Sequence, residues 1–225
     1  MKVTYLGHSC FAVEVGGKHL LIDPFISGNP NAKQIDATTI AADYILITHG
    51  HSDHVGDAEA IAKRTGATII SNYEIAKWFE KKGLKVVDLN FGGIKQFDFG
   101  KVKLVTAIHS STLPDGSNGG NPGGFVIETD EGNFYHAGDT ALCSDMSLIP
   151  HRHPLQFAML PIGSHYTMDA IDAAAASQLL QCKQIIGIHY DTFPPIKIDH
   201  VQAKQAFENF GSILHLMKIG ESKIF

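Results

Sequence analysis

The stretch THGHSDH, residues 48 to 54, places His49, His51, Asp53 and His54 within six positions, directly after the apolar run YILIT. Imidazole and carboxylate groups at this density suit zinc, manganese or iron. The plainer reading, surface histidines with Asp53 capping a helix, fits poorly with four such residues at a strand end. Residues two apart at the end of a strand project the same way, which pairs His49 with His51. Asp53 and His54 fall where the next helix should begin, so the segment offers two adjacent half-sites.

Three residues elsewhere occupy equivalent places. His109 ends VKLVTAIH, Asp139 follows NFYHAG in HAGDT, and His189 ends QIIGIH. Each comes just after an apolar run, where an α/β sheet presents its functional edge. Seven candidate ligands exceed the four of one tetrahedral zinc. Two metals sharing the Asp139 carboxylate accommodate all seven.

The elements that must position these residues read in two similar passes. KVTYLG (2–7), FAVEV (11–15) and HLLID (19–23) are strands, the last two joined by a Gly16-Gly17 turn. After a Pro-, Gly- and Asn-rich loop, YILIT (44–48) has the length and continuous apolarity of a strand covered on both faces. A helix is expected over 55–66 with Gly66 as its stop, then a strand at 67–71, a helix at 72–83 and a strand at 85–89. The second pass has strands at 94–99, 102–107, 124–129, 133–137 and 157–162 and a helix at 168–181. A strand at 184–189, a helix at 200–210 and a final strand at 213–219 complete it. LPDGSNGGNPGG (113–124) reads as a long mobile loop and a flexible lip over the cleft. No composition shift divides the chain. The expectation is one domain over 1–225, an α/β four-layer αββα sandwich of two mixed sheets with helices on both outer faces.

Composition is that of a soluble globular protein: 225 residues, 44% hydrophobic and 18% charged. The net charge of −5 and scattered basic residues give no footprint for nucleic acid or an anionic membrane. The start, MKVTYLGHSC, lacks a signal-peptide pattern, and no apolar run approaches a membrane span. Cys10, Cys143 and Cys182 are an odd, widely spaced set that reads as small buried hydrophobes in a reducing cytoplasm. The expected partners are a small-molecule substrate and, in a homo-oligomer, further copies of the chain.

The order HGHSDH, His109, HAGDT and GIHY resembles the metallo-β-lactamase superfamily of hydrolases. YLGHSCF, LLIDP, PIGSHYTMDAIDA and GIHYDTFP are closer to one branch of it. That branch holds the ascorbate-phosphate lactonase-like proteins and many metal-dependent hydrolases of unassigned substrate. The resemblance implies that His49, His51 and His109 hold a first metal, that Asp53, His54 and His189 hold a second, and that Asp139 bridges them. It also implies that Asp23 orients ligands from behind and that His8 lines the pocket. On spacing alone, Asp23 before Pro24 is equally a strand terminator, and His8 equally a plain turn residue.

His165, in GSHYTM ahead of a helix, is a candidate proton donor, as a partly buried histidine beside metals would be. It joins Asp53 as a catalytic candidate. His19, His136, His151, His153, His200 and His215 read as surface or core residues. Two divalent ions, zinc or manganese with iron as a further option, would generate a hydroxide between them at neutral pH. It would attack a lactone, ester, amide or phosphoester bond. No serine elbow or phosphate-binding loop competes. The alternatives are a phosphodiesterase or nuclease of the same fold, disfavoured by the acidic charge balance, and a non-enzymatic metal-binding module.

Overall fold

A computed structural model describes residues 1–225. The first sheet has the order β14–β1–β2–β3–β4–β5–β6. Its strands are β1 (Lys2–Gly7), β2 (Cys10–Val15), β3 (Lys18–Ile22), β4 (Tyr44–Leu46), β5 (Thr68–Asn72), β6 (Val86–Leu89) and β14 (Ser222–Ile224). β1 to β3 form an antiparallel meander, and β3 to β6 run parallel. The second sheet has the order β13–β12–β11–β10–β9–β8–β7. It comprises β7 (Ile94–Phe97), β8 (Gly100–Thr106), β9 (Gly123–Thr129), β10 (Gly132–His136), β11 (Phe157–Pro161), β12 (Gln184–Ile188) and β13 (Ile213–His215). The same order of antiparallel strands followed by parallel ones recurs there.

The two sheets bury their facing side chains against each other. Phe11, Leu20 and Leu46 meet Phe125, Phe134 and Phe157, all inaccessible to solvent, with Phe134 and Phe157 stacked at 5.1 Å. Helices α1 (Ser52–Val55), α2 (Ala58–Thr65) and α3 (Tyr73–Glu80) belong to the first half, α4 (Ala170–Leu179) and α5 (His200–Asn209) to the second. Ile61, Ala62, Ile75 and Phe79 cover the outer face of the first sheet; Ala173, Ala176 and Phe207 cover that of the second. The layers are therefore αββα, as expected. The central parallel strands β4, β11 and β12 are covered on both sides, which is why they read as nearly unbroken apolar runs.

Several boundaries differ from the sequence reading. The helix expected over 55–66 begins only at Ala58, as α2, and the one-turn α1 precedes it; between them the Asp57 carboxylate is engaged by the backbone N–H groups of Ile26 and Ser27. Gly66 does end α2, in a left-handed conformation with φ +75°. The strand at 44–48 stops at Leu46, since the chain must leave the ladder to present His49. The final strand at 213–219 stops at His215, and β14 then crosses to pair antiparallel with β1. No helix is long and apolar enough to cross a membrane.

The 113–124 segment is tied down by many bonds. Leu113 is buried, Gly50 N–H donates to Ser111 Oγ, and Asn72 Nδ2 donates to the carbonyls of Gly119 and Asn121. Trp78 Nε1 donates to Asp115 Oδ2 at 2.6 Å. Gly and Asn content suggested mobility; partners about forty positions away remove it.

Candidate metal centre

Loops leaving the carboxyl ends of β1, β3, β4, β8, β10 and β12 meet at one edge of the sandwich. They carry His8, Asp23, the 48–54 segment, His109, Asp139 and His189 respectively. His49, His51 and His109 form one group whose ligand atoms lie within 4.8 Å of each other. His49 Nε2 and His51 Nδ1 are 3.0 Å apart. Asp53, His54 and His189 form a second group, and His8 joins it. A third group, His49, His54 and Asp139, runs across the two, so all seven expected ligands come together in one cluster.

Asp139 stands between the groups. Its Oδ2 is 2.9 Å from His189 Nε2 and 3.4 Å from His54 Nε2 on one side, and 3.6 Å from His109 Nε2 and 3.9 Å from His49 Nε2 on the other. Asp139 Oδ1 and His54 Nε2 are buried without any hydrogen-bond partner. Buried polar atoms are rarely left unpaired, and unpaired ones need a reason. An orphaned imidazole nitrogen of His54 facing the Asp139 carboxylate, in a buried cluster of histidines, fits divalent cations.

Behind the cluster, Asp23 is inaccessible to solvent and sits at φ +44°. Its carboxylate accepts from Thr48 N at 2.8 Å, Thr48 Oγ1 at 2.7 Å and His54 Nδ1 at 2.8 Å. Thr48 Oγ1 in turn lies 3.0 Å from His49 Nδ1. With its own proton given to Asp23, the Thr48 oxygen accepts from His49 Nδ1–H. One carboxylate therefore fixes the tautomer of two candidate ligands and leaves both Nε2 atoms facing the centre. On the other flank, Ser110 Oγ lies 3.3 Å from His51 Nε2.

The electrostatics are those of a site prepared for cations. Burial pushes His49, His51 and His109 below the usual histidine range, and their neighbours among the histidines add to this. Burial also takes His8 down to about 4, against the pull of Asp53. Burial works to raise Asp139, but His189 and His54 outweigh it and hold its carboxyl well below the usual range. Asp53 is likewise held low, its burial outweighed by His8 and His54. His54 alone moves up: burial opposes its charge, and Asp139 and Asp23 overcome that. A proton on His54 stands where the cation charge belongs.

Other histidines divide as follows. His165 is exposed, with φ +56° and its ring against Tyr166 at 4.4 Å, so it is not the partly buried group anticipated. It is absent from the clusters of ligand atoms. Gly163, two residues before it, packs so closely on the His189 carbonyl that an added Cβ would come within 2.0 Å of it. His19, His151 and His200 are exposed, His215 is half-buried, and His153 is buried against Glu128. His136 is a core histidine with a positioning task that its place in the sequence gave no sign of. Its Nε2 lies 3.0 Å from the Ser9 carbonyl, and Gly138 N–H donates to its Nδ1, so it links the turn bearing His8 to the loop bearing Asp139. Thr48 and Thr192, the partner of His8 Nδ1 at 2.9 Å, were also missed. Hydroxyls have no spacing signal of their own.

Known proteins resemble this chain along most of its length. The β-lactamase superfamily domain matches residues 2–189. A UPF0173 metal-dependent hydrolase of Flavobacterium johnsoniae is 55% identical over 222 residues, 99% of each chain. One of Methylacidiphilum infernorum is 52% identical over 225 residues, the whole of both chains. Among solved structures, Igni18, a metallo hydrolase from the hyperthermophilic archaeon Ignicoccus hospitalis, superposes with a TM-score of 0.90 at 39% identity. The match covers 100% of this chain and 98% of that one.

Asp23 holds His54 directly and His49 through Thr48, which yields a graded expectation. In zinc titrations of Asp23→Ala, affinity should fall by about 10–100-fold at both half-sites. Thr48→Val should weaken only the half-site containing His49. Equal affinities in wild type and Asp23→Ala would remove Asp23 from the support of either group.

Proposed function

Because the chain belongs to the β-lactamase superfamily, among its metal-dependent hydrolases, we propose that it holds two divalent ions in one shared centre and hydrolyses a small molecule. The bond is a lactone, ester, amide or phosphoester. The observation that carries the two-ion reading is the position of Asp139 Oδ2, within 3.9 Å of nitrogens from both histidine groups. His49, His51 and His109 would hold one ion, Asp53, His54 and His189 the other, and Asp139 both. Zinc and manganese suit this donor set best, and iron is compatible with it. Bound ions at such a centre bring water to ionise near neutral pH and polarise the bond to be broken.

The chain's own residues do the rest. Asp23 and Thr48 keep the Nε2 atoms of His54 and His49 aimed inward. The substrate arrives over His51, Asp53 and His109, the part of the cluster that solvent reaches, with the Asp53 and His109 side chains 26% and 14% exposed. For His165, exposed on the turn after β11 and outside the cluster, to protonate the leaving group, the substrate must extend from the ions to that turn. A cytoplasmic location is part of the same reading and is supported by three free, buried cysteines. So is the absence of a basic surface for nucleic acid.

Zinc titration followed by calorimetry tests the shared centre. Wild type should take up two ions, Asp139→Ala should lose affinity for both, and His109→Ala should lose affinity for one. Loss confined to a single ion in both variants would show that Asp139 is not shared. His165→Ala should keep two ions and lose turnover by about 10²–10⁴-fold. A substrate with a low-pKa leaving group should recover much of that rate. A missing ion in His165→Ala, or unchanged turnover on every substrate, would take the proton donor's role away from it.

A further inference from the structure

His8 is 1% exposed and sits at φ +57° between Gly7 and Ser9. A non-glycine residue in that region is uncommon, and where the surroundings enforce it the strain tends to mark a functional position. The surroundings here are specific. The His8 carbonyl accepts from His189 N–H at 3.0 Å and from Tyr5 Oη at 3.2 Å. This holds the His8 ring 4.3 Å from the His189 ring and 5.6 Å from the His54 ring. The backbone of one candidate ligand thus fixes the placement of the imidazole beside it.

We propose that His8 is itself a ligand of the second ion, through Nε2. The inference rests on the two-ion reading above. Its first support is distance. His8 Nε2 lies 3.2 Å from Asp53 Oδ2. Two atoms each about 2.1 Å from one ion, at angles near tetrahedral or octahedral, lie roughly 3.0–3.4 Å apart. Charge-assisted hydrogen bonds are shorter, about 2.7–2.9 Å. Histidine–carboxylate hydrogen bonds outside the centre's inner face are closer, at 2.8 Å for His54–Asp23 and 2.6 Å for His200–Asp191. The His8–Asp53 pair stands at the long end of the hydrogen-bond range and matches the spacing of two ligand atoms on a common ion.

Its second support is the opposite ring nitrogen. His8 Nδ1 lies 2.9 Å from Thr192 Oγ1, and Thr192 Oγ1 donates onward to the Tyr190 carbonyl at 3.4 Å. In the tautomer that carries its proton on Nδ1, His8 donates to the Thr192 oxygen. The Nε2 lone pair is then free and faces Asp53, His54 and His189. This is the same outer support that Asp23 gives His54 and Thr48 gives His49. The two halves of the centre become unequal. The first has three imidazoles and the shared Asp139. The second has three imidazoles, Asp53 and Asp139, a donor set rich enough for five- or six-coordination.

Cobalt titration of the full-length protein, read by calorimetry and by the d–d absorption of bound Co²⁺, decides the matter. His8→Asn is the test variant, since asparagine tolerates the left-handed backbone while its short side chain withdraws from the ion. Thermal melts of the metal-free forms establish that both fold. His8→Asn should bind one of the two ions at least tenfold more weakly, with a change in that ion's band intensity as its coordination number falls. Thr192→Val should weaken the same ion by about 10–100-fold while keeping the band shape. Unchanged affinity and spectrum in His8→Asn would overturn the assignment. So would weaker binding with an unaltered band, which would make His8 a hydrogen-bond donor to Asp53. Should wild type bind only one ion, the two-ion reading falls, and the band of that ion in His8→Asn still decides whether His8 ligates it.

Discussion

Gathering three carboxylates, Asp23, Asp139 and Asp53, at one edge of a sandwich sets the electrostatic constraint to which the rest of the site responds. Each buried carboxylate costs several kcal/mol in desolvation unless donors or opposite charge compensate it. Asp23 is compensated by three donors: the Thr48 N–H, the Thr48 hydroxyl and His54 Nδ1–H. Asp139 is not, because its Oδ1 has no partner and its Oδ2 faces only imidazoles. Of these, burial lowers His49 and His109, while His54, between Asp139 and Asp23, is raised. The imbalance is resolved by a proton on His54 or by cations, and cations resolve it for both histidine groups at once. Metal binding is then coupled to folding stability, since the unfolded chain presents no such cluster.

The sandwich supplies the cluster only when both sheets are packed. His8, Asp23, His49, His51, Asp53 and His54 come from the first half; His109, Asp139 and His189 come from the second. Gly138 is a point of close approach between the halves at the site. Its φ is +61°, and an added Cβ would lie 2.7 Å from the Thr48 Cβ. Only glycine lets the Asp139 loop reach Thr48, the residue that supports His49. His136, buried with both ring nitrogens engaged, fixes that loop to the β1–β2 turn from the core side.

The sequence disclosed the parts of this arrangement that are local. HGHSDH announced a metal site because its four side chains are neighbours in the chain. Apolar runs ending in His109, Asp139 and His189 placed three more residues at strand ends. The αββα layering followed from two passes of strands and then alternating strands and helices. What stayed hidden is non-local. β14 pairs with β1 across most of the chain, Thr192 supports His8 from 184 residues away, and Asn72 restrains a loop whose composition read as mobile. The 3.2 Å separation of His8 and Asp53 likewise exists only once the fold has formed. His165 shows the reverse error: a helix-preceding turn read as half-buried proved exposed, because Ser164 and His165 both adopt positive φ and turn outward from β11.

The central claim, that Asp139 joins two ions, is tested most directly by anomalous diffraction at the zinc edge from crystals of the zinc-loaded protein. The account predicts two peaks per chain, about 3.5–4 Å apart. One should lie among His49, His51 and His109, the other among Asp53, His54 and His189, with Asp139 Oδ2 contacting both. A single peak, or two peaks with Asp139 bound to only one, would contradict it.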